Sequence, residues 1–383
     1  MNQSITQSFS VPFTYKVHFD KDILDVDNGL MAGLFQSKFK PKVLFVIDEG
    51  VYTAHPSLVK KITDYSNHHQ TYTLAGSPLV LPGGEQAKND SSILQQVLDK
   101  INEYDIDRHS YVVAIGGGAI LDMAGMASTI AHRGVRHIRI PTTVLAQNDS
   151  GVGVKNGVNA YGKKNYLGAF APPYAVINDF TFLSTLDDRD WRGGISEAVK
   201  VALIKDKDFF VWIKENAQKL AARDMEVMAY LIYRCAEMHL DHISGGDPFE
   251  LGSSRPLDFG HWAAHKLEQL TNYELRHGEA VAIGIALDTT YSYLQNRISK
   301  EDLIQVIELF LDLGFDVYID EVADPQVVKG LEEFQQHLGG ILTIMLLESV
   351  GKGVEVHEMD AELIRKAVAQ LKAFQESSRP IAL

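Results

Sequence analysis

Three imidazoles lie close together in this chain, at His261, His265 and His277. They belong to the stretches Asp258-Phe-Gly-His-Trp-Ala-Ala-His265 and His277-Gly-Glu-Ala, beside glycines that let backbone approach closely. Imidazole is the commonest metal ligand and a proton carrier near neutral pH. His261 and His265 are four apart, so a helix puts them on one face. His277 follows His261 by sixteen residues and on one continuous helix would point well away from it. Thr271-Asn272 interrupts the pattern and suggests two helices that meet. Two readings stay open. One is a metal held where the helices meet, completed by a carboxylate from elsewhere. The other is a pair of ordinary helices with partly buried histidines.

Gly193-Gly194-Ile-Ser-Glu197-Ala-Val-Lys200 offers such a carboxylate. Alone, Glu197 and Lys200 one turn apart describe a surface ion pair. With two histidines, Glu197 would leave a coordination position open for substrate, as catalytic zinc sites do. The remaining histidines, His239 among them, show no partner pattern.

These groups need a frame. Lys42–Ile47, Tyr111–Ile115 and His137–Ile140 are short apolar runs rich in β-branched residues. They end in Asp48, in Gly116-Gly117-Gly118 and in Pro141-Thr142-Thr143. Helical patterns at Ser91–Tyr104 and Ala119–His132 lie between them. Strand, turn and helix in alternation predict a parallel sheet covered on both faces. Beyond Asp179 the texture turns helical, over Asp190–Ile204, Phe209–Arg223, Met225–Ile243, Leu257–Leu270, Glu279–Leu294 and Lys300–Leu313. A strand signal returns at Ile341–Leu347. The fold class expected is an α/β dinucleotide-binding domain, residues 1–182, followed by an all-α domain, residues 183–383. The tail Gln375–Leu383 reads as loose.

Composition narrows the function. The chain has 383 residues, room for two domains, and 45% hydrophobic residues. A net charge of −14 argues against nucleic acid as the main partner but leaves room for a local phosphate pocket. No apolar run predicts a membrane span, and the polar start Met1-Asn2-Gln3-Ser4 lacks a signal-peptide layout. The lone Cys235 excludes an internal disulfide framework and a Cys-rich zinc site. A cytoplasmic protein is expected.

Two further groups suit phosphorylated ligands. Gly116-Gly117-Gly118 follows a strand and opens a helix, where backbone N–H groups can meet a pyrophosphate or simply make a tight turn. It is not the GxGxxG fingerprint. Asp48 ends the preceding strand, and Pro82-Gly-Gly-Glu85-Gln-Ala-Lys88 could clamp a ribose or cap a helix. Asp149-Ser-Gly-Val-Gly-Val-Lys155 and Gly162-Lys-Lys164-Asn165 bring lysines into glycine-rich loops, either a phosphate site or a solvated basic surface. Arg133, just past a helix end, could join them or complement the helix dipole.

Taken in order from about Asp48 to Gly351, these motifs resemble the sugar phosphate cyclases, the superfamily containing 3-dehydroquinate synthase. The set comprises Asp48, PGGEQAK, GGGAILD, RG, PTT, the Asp149–Lys155 loop, GKKN, TL, SEAVK, DFGH and HGEAVA. The resemblance implies NAD in the interdomain cleft, held by Asp48, Glu85, Lys88, Gly117, Gly118, Asp122, Thr142, Thr143, Thr185 and Leu186. It implies a divalent metal, usually Zn2+ with Co2+ as an alternative, on Glu197, His261 and His277. Lys155, Lys200, His265, Asp149 and Glu250 would be catalytic, and Lys164, Asn165, Asp258 and Arg255 would bind substrate. A homodimer is implied, with Arg133 reaching the phosphate in the neighbouring subunit's site.

The departures bear on the substrate. Dehydroquinate synthases carry an Arg seven residues before the first metal His and an Asn three before it. Here those positions are Ser254 and Asp258, with Arg255 shifted by one, and a further substrate Lys aligns near Leu240. A carboxylate buried without cations would cost several kcal/mol, as an order of magnitude. GVGVKNGVN, GGDPFE and EFQQHLGG look more like synthases that cyclise sedoheptulose 7-phosphate, such as 2-epi-5-epi-valiolone synthase, although Gln335-Gln336 departs even there. The expectation is a cyclase for a sedoheptulose-like phosphate. The alternatives are 3-dehydroquinate synthase proper and a metal-dependent polyol dehydrogenase of the glycerol type.

Overall fold

The computed structural model describes residues 4–35, 39–245, 248–249, 256–337 and 340–378. Glu250, Ser254 and Arg255 lie outside these.

Among the described residues, the first part of the chain builds one parallel sheet of seven strands. They are β1 (Lys16–Asp20), β2 (Lys42–Asp48), β3 (Thr73–Leu74), β4 (Leu79–Leu81), β5 (Tyr111–Gly116), β6 (Arg136–Pro141) and, later in the chain, β9 (Ala175–Asp179). The order is β1-β9-β6-β5-β2-β3, with β4 also pairing β2. Val43–Ile47 and Tyr111–Ile115 are buried on both faces, which explains their unbroken apolar runs. From β2 the chain steps outward to β3 and β4, then crosses back to β5 on the other side. The carboxyl ends of β2 and β5 therefore flank a topological switch point, where open α/β sheets bind ligands.

The sequence reading missed β1, β9 and an antiparallel hairpin of β7 (Lys155–Ala160) and β8 (Lys163–Phe170). The hairpin is mostly polar and β8 is largely exposed, so no hydrophobic run announces it. Helices begin in earnest at Asp188–Lys205 and continue through Met225–Ser244, His261–Leu270, His277–Leu294 and Lys300–Asp312. The second half thus forms the helical domain, with one small sheet of β10 (Ile344–Ser349) and β11 (Lys352–Val356).

Three helix expectations need correction. The stretch read as Phe209–Arg223 is two helices, Lys207–Glu215 and Ala217–Ala221, broken where Asn216 turns its side chain back onto Trp212 O. The helix read from Leu257 starts at His261, because Gly260 has φ +78. The tail is not loose at its start: Ala361–Ser378 is one helix. Its buried Gln375 accepts from Val317 N at 2.7 Å and donates to Asp316 Oδ1 at 2.7 Å.

Candidate active site

Glycines bring the His277 helix against the Glu197 helix and against the start of the His261 helix. A Cβ on Gly278 would stand 2.1 Å from Gly193 O, and one on Gly284 would stand 2.1 Å from Gly260 O. Only hydrogen fits at either crossing, so the backbones touch. Glu197 lies one turn beyond Gly193, and His277 directly precedes Gly278. Arg189 reinforces the contact, donating to both oxygens of Glu279 at 2.7 and 2.6 Å. Asp288, fully buried on the His277–Leu294 helix, accepts from Gly260 N at 3.0 Å and Trp262 Nε1 at 2.9 Å. It thereby fixes the start of the helix that carries His261. Burial pushes the Asp288 carboxyl up to about 7, against those two bonds.

Glu197, His261 and His277 converge. Glu197 Oε1 lies 3.5 Å from His261 Nε2 and 3.4 Å from His277 Nε2. Metal bonds of about 2.0–2.1 Å at tetrahedral angles would separate ligand atoms by about 3.3 Å. The outer ring atoms are braced as metal ligands usually are: His261 Nδ1 is 3.2 Å from Phe259 O, and His277 Nδ1 is 3.1 Å from Glu268 Oε2. Glu197 Oε1 is buried and accepts no hydrogen bond from the protein, the mark of a donor atom awaiting a cation. The three residues fit a divalent ion of zinc type. His265 forms the third side of the imidazole cluster, its ring 5.5 Å from His261 and 6.0 Å from His277. Burial holds it well below the usual histidine range, so it is neutral.

The cluster is the centre of a longer alternation of charge. Lys164 Nζ donates to Glu268 Oε1 at 2.8 Å, and Glu268 braces His277. On the other side Glu197 Oε2 meets Lys200 Nζ. Asp149 helps to hold Lys200 charged and is itself met by His239, Nδ1 to Oδ1 at 2.8 Å. Burial would push Glu197 up, but Lys200 and His261 outweigh it and hold it well below the carboxylate range. Burial would likewise lower Lys200, but Glu197 and Asp149 keep it raised. Burial disfavours charge on His277, yet Glu197 and Glu268 raise it to about 9. A metal at Nε2 would take the place of that proton. Asp258 lies close enough to contribute to Lys200's charge.

Lys155 is exposed at the start of β7, Asn165 is exposed on β8 with φ +52, and Arg133 is exposed in the turn after the helix Gly118–Ile130. His239 and Glu268 are residues that sequence reading missed. A single imidazole on an amphipathic helix carries no signal until Asp149 is folded against it.

The residues expected to hold a dinucleotide gather at the carboxyl edge of the sheet. A Cβ on Gly116 would meet Asp48 Cβ at 2.9 Å, so the ends of β2 and β5 nearly touch. Gly117 and Gly118 open the helix Gly118–Ile130, and Thr142 N donates to Gly116 O at 3.0 Å. Thr143 Oγ1 accepts from Ala146 N at 3.1 Å. Lys88 and Asp122 pair at 2.8 Å beneath them. Asp48 caps the helix Glu49–Ala54 through Gly50 N, so one of its oxygens has structural work. Glu85 accepts from Asn159 at 2.5 Å. Thr185 is exposed, and Leu186 O accepts from Arg223 at 2.7 Å.

Two family models match in succession, the 3-dehydroquinate synthase N-terminal model over residues 78–193 and its C-terminal model over residues 194–336. The chain is also 33% identical to the 3-dehydroquinate synthase of Nitrosococcus oceani over 358 residues, 93% of this chain and 96% of that one. The chain belongs to the 3-dehydroquinate synthase family of sugar phosphate cyclases. Within that family, the structure of ValA, a 2-epi-5-epi-valiolone synthase from Streptomyces hygroscopicus with NAD+ and Zn2+ bound, superposes with TM-score 0.88. The identity is 27%, covering 96% of this chain and 99% of that one. A 2-deoxy-scyllo-inosose synthase complexed with carbaglucose-6-phosphate, NAD+ and Co2+ shares the fold, at TM-score 0.76 and 23% identity over 94% and 96% of the chains. No helix of the described residues is long and apolar enough to cross a membrane.

Proposed function

We propose that the protein is an NAD- and metal-dependent cyclase that converts a heptulose 7-phosphate of the sedoheptulose type into a carbocycle with loss of phosphate. The convergence of Glu197, His261 and His277 inside an alternating chain of acids and bases carries this reading. When bound, the nicotinamide supplies a reversible hydride acceptor and the metal a Lewis acid for sugar oxygens. The protein's own groups do the rest. Neutral His265 is suited to carry a proton beside the cluster. Lys200, kept charged, stabilises negative charge developing on the sugar. Lys164, Asn165, Lys155 and Arg133 offer a phosphate its donors, Arg133 from the partner subunit of a homodimer. Asp48, Glu85, Lys88, Gly117, Gly118, Asp122, Thr142, Thr143, Thr185 and Leu186 form the dinucleotide face, and the domains divide at residues 182 and 183. Cytoplasmic residence fits a chain of this composition.

The choice of a neutral sugar rests on Asp258. A carboxylate here, near enough to act on Lys200, would repel a substrate carboxylate. The curated relatives at 33–36% identity favour the second reading, 3-dehydroquinate synthase proper. Phosphate release by purified protein with NAD+ and Zn2+ or Co2+ separates the two. Sedoheptulose 7-phosphate should be turned over in preference to 3-deoxy-arabino-heptulosonate 7-phosphate, without bulk NADH. Preference for the acid establishes the second reading, and steady NADH formation removes both in favour of a dehydrogenase.

A further inference from the structure

His239 stands on the helix Met225–Ser244, outside every motif that identifies the family. Its ring nevertheless enters the site from the helical side. Nδ1 lies 2.8 Å from Asp149 Oδ1, an ion-pair distance without the alignment of a full hydrogen bond, and both side chains are mostly buried, with 16% and 23% exposure. Its other nitrogen faces Gly153: a Cβ built there would stand 3.1 Å from Nε2. One imidazole thus spans both ends of the turn between Asp149 and Gly153. Asp149 itself is re-aimed by a π-helical turn, Ala146–Ser150, in which Gly151 N donates to Ala146 O at 2.9 Å.

The same loop is gripped from below. Arg139, fully buried on β6, donates to Gly151 O at 3.2 Å, Gly153 O at 2.9 Å, Lys155 O at 2.8 Å and Asn156 Oδ1 at 2.7 Å. Those bonds fix the loop's main chain but leave the Asp149 carboxylate free to rotate. Lys200 acts on that carboxylate from the site, and His239 is the group that touches it from behind.

We infer that His239 is a positioning residue for the cyclase reaction: it fixes the rotamer of Asp149 toward Lys200 and ties the helical domain to the substrate loop. The inference rests on the reading above that Asp149 and Lys200 face substrate. A misplaced functional group of about 1 Å lowers turnover by about 100-fold in sensitive cases. His239→Leu should therefore lower kcat by roughly 10- to 100-fold, with the Kd for NAD+ and the thermal midpoint little changed. His239→Asn offers an N–H at similar reach and should recover most of that loss. Gly153→Ala, which crowds the ring from its other side, should lower kcat in the same way.

Turnover within twofold of the native rate in His239→Leu overturns the inference. So does an Asn variant no better than the Leu variant, or loss of NAD+ affinity in proportion to kcat, which marks a merely structural role. Nitrogen-15 histidine NMR tests the contact without any substrate. The His239 Nδ1–H resonance should be protected in the native protein and lost in Asp149→Ala, which removes the acceptor, and an unprotected native resonance refutes the inference. A native protein that shows the resonance but releases no phosphate from any heptulose phosphate would sink the proposed function and leave the Asp149 contact standing.

Discussion

The start and the middle of the helix Asp188–Lys205 both pair acids with bases, under opposite conditions. At its start, Asp187 and Asp190 each meet Arg276 at 2.7 Å, and Asp188 meets Arg223 at 3.2 Å. These side chains are 32–77% exposed. Three turns on, Glu197 and Lys200 are paired at 1% and 3% exposure. Exposed pairs gain little, because water screens them and two long side chains must be ordered. A buried pair gains little over an apolar pair of the same shape, yet leaving one partner alone is expensive. The start of the helix can drift at small cost, whereas its middle is held by mutual dependence. The candidate site sits in the middle, where a buried ion pair is weak evidence for stability.

The largest effect should come from breaking the buried pair. Lys200→Met strands Glu197 in the core and should cost about 3–5 kcal/mol in denaturant unfolding of chelator-treated protein. Adding Glu197→Leu should restore most of that stability while activity stays absent. A double variant as unstable as the single one would mean that the pair stabilises the fold outright.

Asp288 sharpens the comparison from a third position, a buried acid with donors but no cation. Its carboxyl is raised in the folded protein to about 7, above its unfolded value near 4. The folded state therefore holds the proton more tightly, and stability declines as pH rises from about 4 through about 7. The slope in that window reaches at most about 1.4 kcal/mol per pH unit. Asp288→Asn should flatten this part of the stability–pH curve, measured by denaturant midpoints at pH 5, 6, 7 and 8. An unchanged slope would show that other groups set it.

The smallest effect belongs to the exposed end. Arg276→Ala should cost under about 1 kcal/mol at low salt, and less at higher salt. Arg276 bonding holds Asp187 down at about 2, so this contribution is present above about pH 4 and fades as pH falls toward 2. A loss of several kcal/mol would erase the contrast between the start of the helix and its middle.

Sequence reading reached the sheet and the ligands for different reasons. Val43–Ile47 and Tyr111–Ile115 are legible because double burial leaves an unbroken apolar run. The two-helix reading of His261 and His277 is matched by helices His261–Leu270 and His277–Leu294. The hairpin β7–β8 was hidden because β8 is largely exposed and β7 sends only one large apolar side chain, Val158, into the core. Glu268 and His239 were hidden for another reason. Each acquires meaning only through a partner 9 and 90 residues away, His277 and Asp149, and local periodicity carries no trace of such pairings. Asp288 is the same case, a single acid in the apolar stretch that follows Glu279 until Trp262 and Gly260 are folded against it.

The glycine crossings at Gly193–Gly278 and Gly260–Gly284 bear on how such a protein can drift over generations. A single base change turns a glycine codon into an alanine codon, and at Gly260, Gly278 or Gly284 the added methyl would strike backbone rather than a side chain that can swing aside. These three positions form a mutational target as large as the ligand set itself. A lineage could keep every histidine and glutamate and still lose the site through one methyl group.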